Sequence, residues 1–195
     1  MYTLLENHIK KYVGATDDEI KLFTDKVSPL KLQAKSYLLQ PGQIVKNEFF
    51  VIEGCLKAYY LDSKGGRHII QFAIENWWVS DFEAFYNGTP SKLYIEAIED
   101  SVILSINLNN KEKLFTEAPI FNRYFRILLT NAFIGVRKRI LSSLEKDAQS
   151  RYLEFCKAYP SIEKRVQNNH IANYLGISPQ SLCRIKRKLK KEVVD

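Results

Sequence analysis

The sequence predicts an α+β protein with three parts: a β-rich N-terminal body, one long amphipathic helix, and a C-terminal helical unit ending in a helix-turn-helix. Three observations carry this reading. Between about residues 31 and 108 the apolar residues fall in short runs divided by turn signals, the texture of a β-sandwich or barrel. After Pro119 the apolar spacing changes to steps of three and four. The charge is also uneven: of the net +7, residues 151–195 carry +6, from ten Lys/Arg against four acids. A chain of 195 residues suits one ordinary domain plus something smaller, and the changes of texture place boundaries at 1–109, 110–145 and 146–195.

Residues 1–30 read as short helices. Ile20, Leu22, Phe23 and Val27 share a stripe, Thr16-Asp17-Asp18-Glu19 supplies a cap and first-turn acids, and Pro29 ends the stretch. The strand-like runs are Tyr37–Leu39, Phe49–Ile52, Leu56–Leu61, His68–Ile74, Tyr94–Ile98 and Val102–Leu108. Their turns are Pro41-Gly42, Glu53-Gly54, Ser63-Lys64-Gly65-Gly66 and Asn87-Gly88-Thr89-Pro90. Asn109-Asn110 is read as the cap of a short helix, Lys111–Glu117, and Pro119 suits the first turn of the long one.

In the long helix Leu129, Phe133, Val136, Ile140 and Leu144 step by 4, 3, 4 and 4, with Phe121, Phe125, Leu128 and Ala132 as a neighbouring stripe. Roughly 26 residues span about 39 Å. One side covers the β body. The other pairs with its copy in a second subunit as a short coiled coil, the alternative being a helix packed wholly within its own chain. Beyond it Ala148–Tyr159 reads as a helix stopped by Pro160, Ser161–Asn168 as a polar connector, and the rest as two helices.

Several classes are disfavoured. There is no run of about 18 apolar residues to span a membrane, and the N-terminal stretch reads as no secretory signal because it holds acids and no long apolar run. Cys55, Cys156 and Cys183 are far apart and form no C-x-x-C or Cys/His cluster, so they read as buried or idle thiols of a reducing cytosol, with no metal or other cofactor. His8, His68 and His170 stand alone. The sequence holds no nucleophile elbow, phosphate loop or H-E-x-x-H, so no catalytic residue is assigned and an enzyme is not expected.

Function is carried by residues 168–187, NNHIANYLGISPQSLCRIKR. Ala172, Gly176 and Leu182 have helix-turn-helix spacing: a small residue where two helices cross, a turn residue tolerant of a left-handed backbone, and an apolar lock with Ile171, Leu175, Ile177 and Ile185. Ser178 is an N-cap and Pro179 a first helical residue. The second helix then exposes Gln180, Ser181, Arg184 and Lys188, and six cations with no acid lie between 178 and 191. This is the footprint of a double-stranded DNA reader; an unrelated helical hairpin with a solvated basic tail is the bland alternative. The DNA-binding candidates are Ser178, Gln180, Ser181, Arg184, Arg187, Lys188 and Lys190. Arg184 is assigned to base edges, and Lys186, Arg187 and Lys190 to phosphates.

In these features the chain resembles transcription regulators of the cyclic-AMP receptor protein / fumarate-nitrate regulator (Crp/Fnr) family, most of all the short members common in Bacteroidetes-type bacteria. The likeness rests on Pro41-Gly42, the run Phe49-Phe50-Val51-Ile52-Glu53-Gly54, Gly65-Gly66-Arg67, the long helix and the helix-turn-helix, in that order. It implies a β-roll sensor of the cyclic-nucleotide-binding jelly-roll type, dimerisation through the long helix (Leu129, Phe133, Val136, Ile140), a winged DNA-binding domain, a cytoplasmic homodimer, and RNA polymerase as a further partner.

The departures matter as much. The family's Gly-Glu-Leu triplet resembles Ser80-Asp81-Phe82 here, and its Arg-Ser/Thr-Ala segment resembles Ser91-Lys92-Leu93. Ser80, Asp81, Ser91 and Lys92 are thus the candidate effector pocket. Asp81 is one methylene short of Glu, and the arginine whose planar fork clamps a cyclic phosphate is missing. Lys92 is either a substitute point charge or a plain loop lysine. Little cyclic-AMP binding is expected, and the effector is an unknown small molecule or none. Pro179 also stands where the family often has an arginine, and the chain stops soon after the recognition helix, so strands beyond it are expected to be missing. The alternative function is a cyclic-nucleotide-binding or protein-interaction module with an incidental basic tail.

Overall fold

The structure is a computed structural model that describes residues 2–192, the side chain of Glu192 excepted. The chain divides into two compact units, 1–58 with 72–133 and 59–71 with 134–195. The first opens with α1 (Thr3–Tyr12) and α2 (Asp17–Thr24). At α2 the predicted cap forms: Thr16 Oγ1 accepts from the Glu19 N–H at 3.3 Å and the Glu19 carboxylate accepts from the Thr16 N–H at 2.8 Å.

Eight strands follow: β1 (Ser28–Leu32), β2 (Tyr37–Leu39), β3 (Asn47–Glu53), β4 (Leu56–Leu61), β5 (Arg67–Ala73), β6 (Trp78–Val79), β7 (Tyr94–Ala97) and β8 (Ser101–Asn107), with α3 (Phe82–Asn87) between β6 and β7. They form two four-stranded sheets, ordered β1-β8-β3-β6 and β2-β7-β4-β5. Then come α4 (Leu108–Glu117) and α5 (Ile120–Glu145), whose residues up to 133 group with the first unit and the rest with the second.

In the first sheet β3 and β8 are buried on both faces, and because successive strand side chains alternate, each strand serves two cores. In the antiparallel pair β3/β8, Phe50 lies opposite Leu104 and Val51 opposite Ile103. Phe50, Leu104 and Ile106 pack with Leu5, Ile9, Phe23, Phe121 and Tyr124 from α1, α2 and α5. Phe49, Val51 and Ile103 join Leu39, Leu56, Ala58, Ala73 and Ile95 of the other sheet.

A buried ion pair sits at the edge of the helical core. The Lys111 ammonium donates to both Glu48 carboxylate oxygens and to the Tyr86 hydroxyl, each at 2.7 Å, and stands 4.1 Å from the Phe125 ring centroid. Burial lowers the Lys111 pKa, and the Glu48 carboxylate opposes that shift. Keeping this charge inside depends on all its donors being used.

Three local expectations are corrected. Pro29 does not end a helix: α2 stops at Thr24, and Pro29 lies in β1 opposite Leu104, on an edge strand where a missing N–H is tolerated. The cap of α4 is Asn107, whose side chain accepts from the Asn110 N–H at 2.8 Å, so Asn109 and Asn110 lie inside the helix. The polar connector after Pro160 is a helix, α7 (Pro160–Arg165), since proline at the first helical position loses nothing by lacking an N–H. The short elements β1, β6 and α3 have no clear sequence signal.

The second unit holds the hairpin segment 59–71, the end of α5, and α6 (Ala148–Ala158), α7, α8 (Asn168–Leu175) and α9 (Pro179–Glu192). Tyr152, Phe155, Ile162, Val166, Ile171, Ala172 and Leu182 are buried within it. Among the described residues no strand follows β8, so the wing that the resemblance implies is not among them. No described helix is long and apolar enough to cross a membrane.

One buried network makes stability depend on pH. The Trp78 indole N–H donates to the Tyr124 hydroxyl at 3.2 Å, and the same hydroxyl lies 2.8 Å from His8 Nδ1, to which it gives its proton when that ring nitrogen is unprotonated. Burial, helped by the Lys11 charge, lowers the His8 pKa from 6.5 to about 4. The unfolded chain therefore takes up a proton that the folded chain refuses between pH 6.5 and about 4. The resulting stability is fully present above that window and is lost as pH falls through it, by about 3 kcal/mol in all. Urea unfolding at pH 7 and pH 4.5 is expected to show this loss in the wild type and a much smaller one in His8→Gln.

Candidate nucleic-acid interface

The helix-turn-helix forms at the predicted register. Helix α8 ends in Gly176, with φ +67° and ψ 36°, a left-handed conformation that glycine enters without the Cβ penalty. The chain then reverses, and the Ile177 N–H donates to the Ala172 carbonyl at 3.0 Å. Ile171 and Ala172 from α8 and Leu182 from α9 are wholly buried, so the lock between the helices is apolar and the crossing residue is small. Ser178 caps α9, its Oγ accepting from the Ser181 N–H at 3.1 Å.

Helical spacing decides what α9 shows outward. Gln180, Arg184, Arg187, Lys188 and Lys190 are exposed, Ser181 is half-buried, and Ile185 and Leu189 turn inward beside Leu182. At 100° per residue Gln180, Arg184, Arg187 and Lys191 fall within a sector of about 60°. Sequence reasoning misses Lys191, although its i+11 spacing from Gln180 is legible. An Arg184 guanidinium N–H reaches the Ser181 hydroxyl at 3.3 Å, and the Lys188 ammonium reaches the Gln149 side chain of α6 at 3.2 Å.

Lys186 departs from the role assigned to it. Its ammonium lies 2.8 Å from the Glu163 carboxylate, donates to Asn168 Oδ1 at 2.7 Å, and stands 5.6 Å from the Tyr152 ring centroid. The Tyr152 hydroxyl donates to the same Glu163 at 3.0 Å, and the Lys186 contact draws the Glu163 pKa down. Lys186 thus ties α9 to α7 and α8, and it is not placed as a phosphate contact.

Of the candidate effector residues, Asp81, Ser91 and the Lys92 backbone bond one another in the first unit, while Ser80 and the Lys92 side chain turn to other partners. Ser80 donates to the Asn47 carbonyl at 2.9 Å. Asp81 caps α3, accepting from the Ala84 N–H at 3.2 Å, while its other oxygen accepts from the Ser91 hydroxyl at 2.8 Å and the Lys92 N–H at 3.3 Å. The Lys92 ammonium is exposed, 4.0 Å from the equally exposed Glu83. Asp81, Ser91 and the Lys92 backbone thus hold a loop closed on itself, with no arginine among them.

On α5, Phe121, Tyr124 and Phe125 are buried, while Leu129, Phe133, Val136 and Ile140 remain 54%, 62%, 52% and 52% exposed, and Leu144 78%. Ala132, expected on the covered stripe, is exposed too. Large apolar side chains thus recur at heptad-like steps along the exposed side of the helix. Among the described residues no group of three or more His, Cys, Asp or Glu is placed to hold a metal ion.

Residues 29–118 match the family model of the cyclic nucleotide-binding domain. No curated protein matches the chain. Its fold is shared with several solved structures. FixK2 from Bradyrhizobium japonicum superposes with a TM-score of 0.73 at 16% identity, over 85% of each chain. The c-di-GMP-responsive global regulator CLP of Xanthomonas campestris gives 0.70 at 13%, over 91% of this chain and 93% of that one. A protein from Eubacterium rectale described as a Crp/Fnr-family transcriptional regulator gives 0.69 at 20%, over 91% and 85%.

The inward-directed Asp81 and the serine at position 91 set an expectation for the usual ligands of such a domain. Calorimetry with cyclic AMP and cyclic GMP is expected to show no binding tighter than about 100 μM, roughly −5.5 kcal/mol. A sub-micromolar affinity for either would contradict this account of the loop.

Proposed function

We propose, from a chain whose residues 29–118 match the cyclic nucleotide-binding domain and whose fold is that of Crp/Fnr-type regulators, that this is a cytoplasmic, homodimeric, sequence-specific DNA-binding transcription regulator. The observation that carries the reading is α9: a capped helix, locked from behind by apolar residues, whose outward face is cationic and free of acids up to Lys191. Such a helix enters the major groove, where cations meet phosphates and an arginine near its start reads base edges. The β-roll serves as the sensor. With its loop tied by Asp81 and Ser91, it does not bind cyclic AMP in the usual way.

The roles on α9 divide by position. Arg184, exposed one and a half turns from the cap, pairs bidentately with the O6 and N7 of guanine. Arg187, Lys188, Lys190 and Lys191 contact phosphates, and Gln180 and Ser181 lie on the turn nearest the bases. The two copies of α9 in a dimer reach half-sites about 34 Å apart, one turn of the duplex. The apolar row on α5 supplies the dimer contact, burying Phe133 and Val136 against their counterparts.

Light scattering at micromolar concentration is expected to show a dimer, and Phe133→Glu with Val136→Glu a monomer that keeps its fold but binds the operator far more weakly. A wild type that scatters only as a monomer contradicts the dimer.

Competition binding on selected and scrambled duplexes at two salt concentrations separates the contacts on α9. Arg184→Ala is expected to cost about 1–3 kcal/mol per half-site on the selected duplex and little on the scrambled one. Lys190→Ala is expected to weaken both alike and to flatten the salt slope, each lost phosphate contact removing about 0.9 from it. Absence of any salt-dependent duplex binding would instead favour a ligand- or protein-binding module.

A further inference from the structure

Arg139 lies in the second unit on α5, between Arg137 and Lys138, which are exposed, and Ile140; it alone of these three cations is half-buried. Its guanidinium donates a 2.7 Å hydrogen bond to the carbonyl of Ile70, in the hairpin segment 59–71. The same guanidinium stands 4.8 Å from the ring centroid of Tyr174 on α8. The Tyr174 ring packs 5.5 Å from Phe155 of α6, which lies 5.6 Å from Tyr159. Burial raises the Tyr159 pKa, and the Arg139 charge works against that rise, which places the cation beside the same aromatic cluster.

One planar cation thus holds three elements together. Its edge bonds the hairpin and its face covers a ring of the helix-turn-helix. Arginine suits this task and lysine does not, because only the guanidinium offers in-plane donors and a stacking face together. A second arginine holds the same end of α8, one residue further on: Arg151 donates to the Lys146 carbonyl at 2.9 Å and to the Leu175 carbonyl at 3.4 Å. Leu175 is the last residue of α8, directly before the Gly176 turn that launches α9.

We propose that Arg139 is a positioning residue for DNA reading: by joining Ile70 to Tyr174 it fixes α8, and through the Gly176 turn α9, to the 59–71 hairpin, so that DNA engaging α9 is felt in the hairpin. The response to DNA rests on the DNA-binding reading above, and the clamp between Ile70 and Tyr174 does not. Because α9 moves with α8, a change at either end of the clamp reaches the other. Within the second unit, the 59–71 segment and α8 thus share a contact made by a single side chain.

Hydrogen exchange on the full chain tests this, with wild type, Arg139→Ala, Arg139→Lys and Tyr174→Leu, each with and without the selected duplex. In the free proteins Arg139→Ala and Tyr174→Leu are expected to speed exchange in both 59–71 and 168–175. With duplex, the wild type is expected to show altered exchange in 59–71, a response that Arg139→Ala and Arg139→Lys lose. Affinity of Arg139→Ala for the selected duplex is expected to fall roughly tenfold, with scrambled duplex less affected. Faster exchange confined to one of the two segments overturns the clamp. So does a hairpin response to DNA that survives Arg139→Ala, or full wild-type behaviour of Arg139→Lys. If the wild type binds no duplex, the DNA-binding reading falls, while exchange in the free proteins still decides whether the clamp exists. Tyr174→Leu, which keeps Arg139, provides the same decision should Arg139→Ala fail to fold.

Discussion

Strands β3 and β8 are buried on both faces, and the first unit is arranged around that constraint. Phe50 and Leu104 meet the helices while Val51 and Ile103 meet the second sheet, so two residues in a row on each strand serve different cores. A slip of one residue would exchange the two sets, sending Glu48 from its pairing with Lys111 into the apolar space between the sheets. The buried ion pair therefore reports the register as well as the packing. Gly54 belongs to the same arrangement: at φ +107° it turns the chain out of β3 so closely that a Cβ there would lie 2.7 Å from the Ser101 backbone.

The cations of this chain have three physical fates, and their function follows from which applies. Lys111 is enclosed, and its charge survives because Glu48 and Tyr86 use its donors. Lys186, Arg139 and Arg151 are half-buried and bind carbonyls, a carboxylate or rings of their own chain, so they hold helices in place. Arg184, Arg187, Lys190 and Lys191 project from α9 into solvent. Of these three groups the last adds to an external field at low desolvation cost, which is what attraction of a polyanion requires. Net charge alone does not separate these groups.

Helix α5 carries two surfaces for two purposes. Near its start Phe121, Tyr124 and Phe125 complete the helical core, and from Leu129 onward the apolar side chains face outward. Hydrophobic burial favours covering such a row, and in the proposed dimer a second copy of the same helix covers it, with a spacing that matches by construction. Arg139 leaves the same helix on another side, toward Ile70 and Tyr174.

Much of this architecture is legible in the order of the residues. The change from short apolar runs to three- and four-residue steps marks the strands and α5, because side-chain periods of 2.0 and 3.6 are local properties of the backbone. The turn glycine, the serine cap and the apolar lock of α8 and α9 are likewise written in neighbouring residues. What escapes such reading is non-local or too short to show a period. Strand β1 carries Pro29 and exists because β8 pairs with it, β6 has two residues, and Pro160, which resembles a stop, is a start. Residue order alone marks the longer strands, α5, the α8–α9 pair and the place where the cations concentrate. Packing is what occupies Asp81 with its own loop, binds Lys186 to Glu163 and brings Arg139 to a carbonyl 69 residues away, because a side chain's partner is set by what lies within about 3 Å of it and not by its neighbours in the chain.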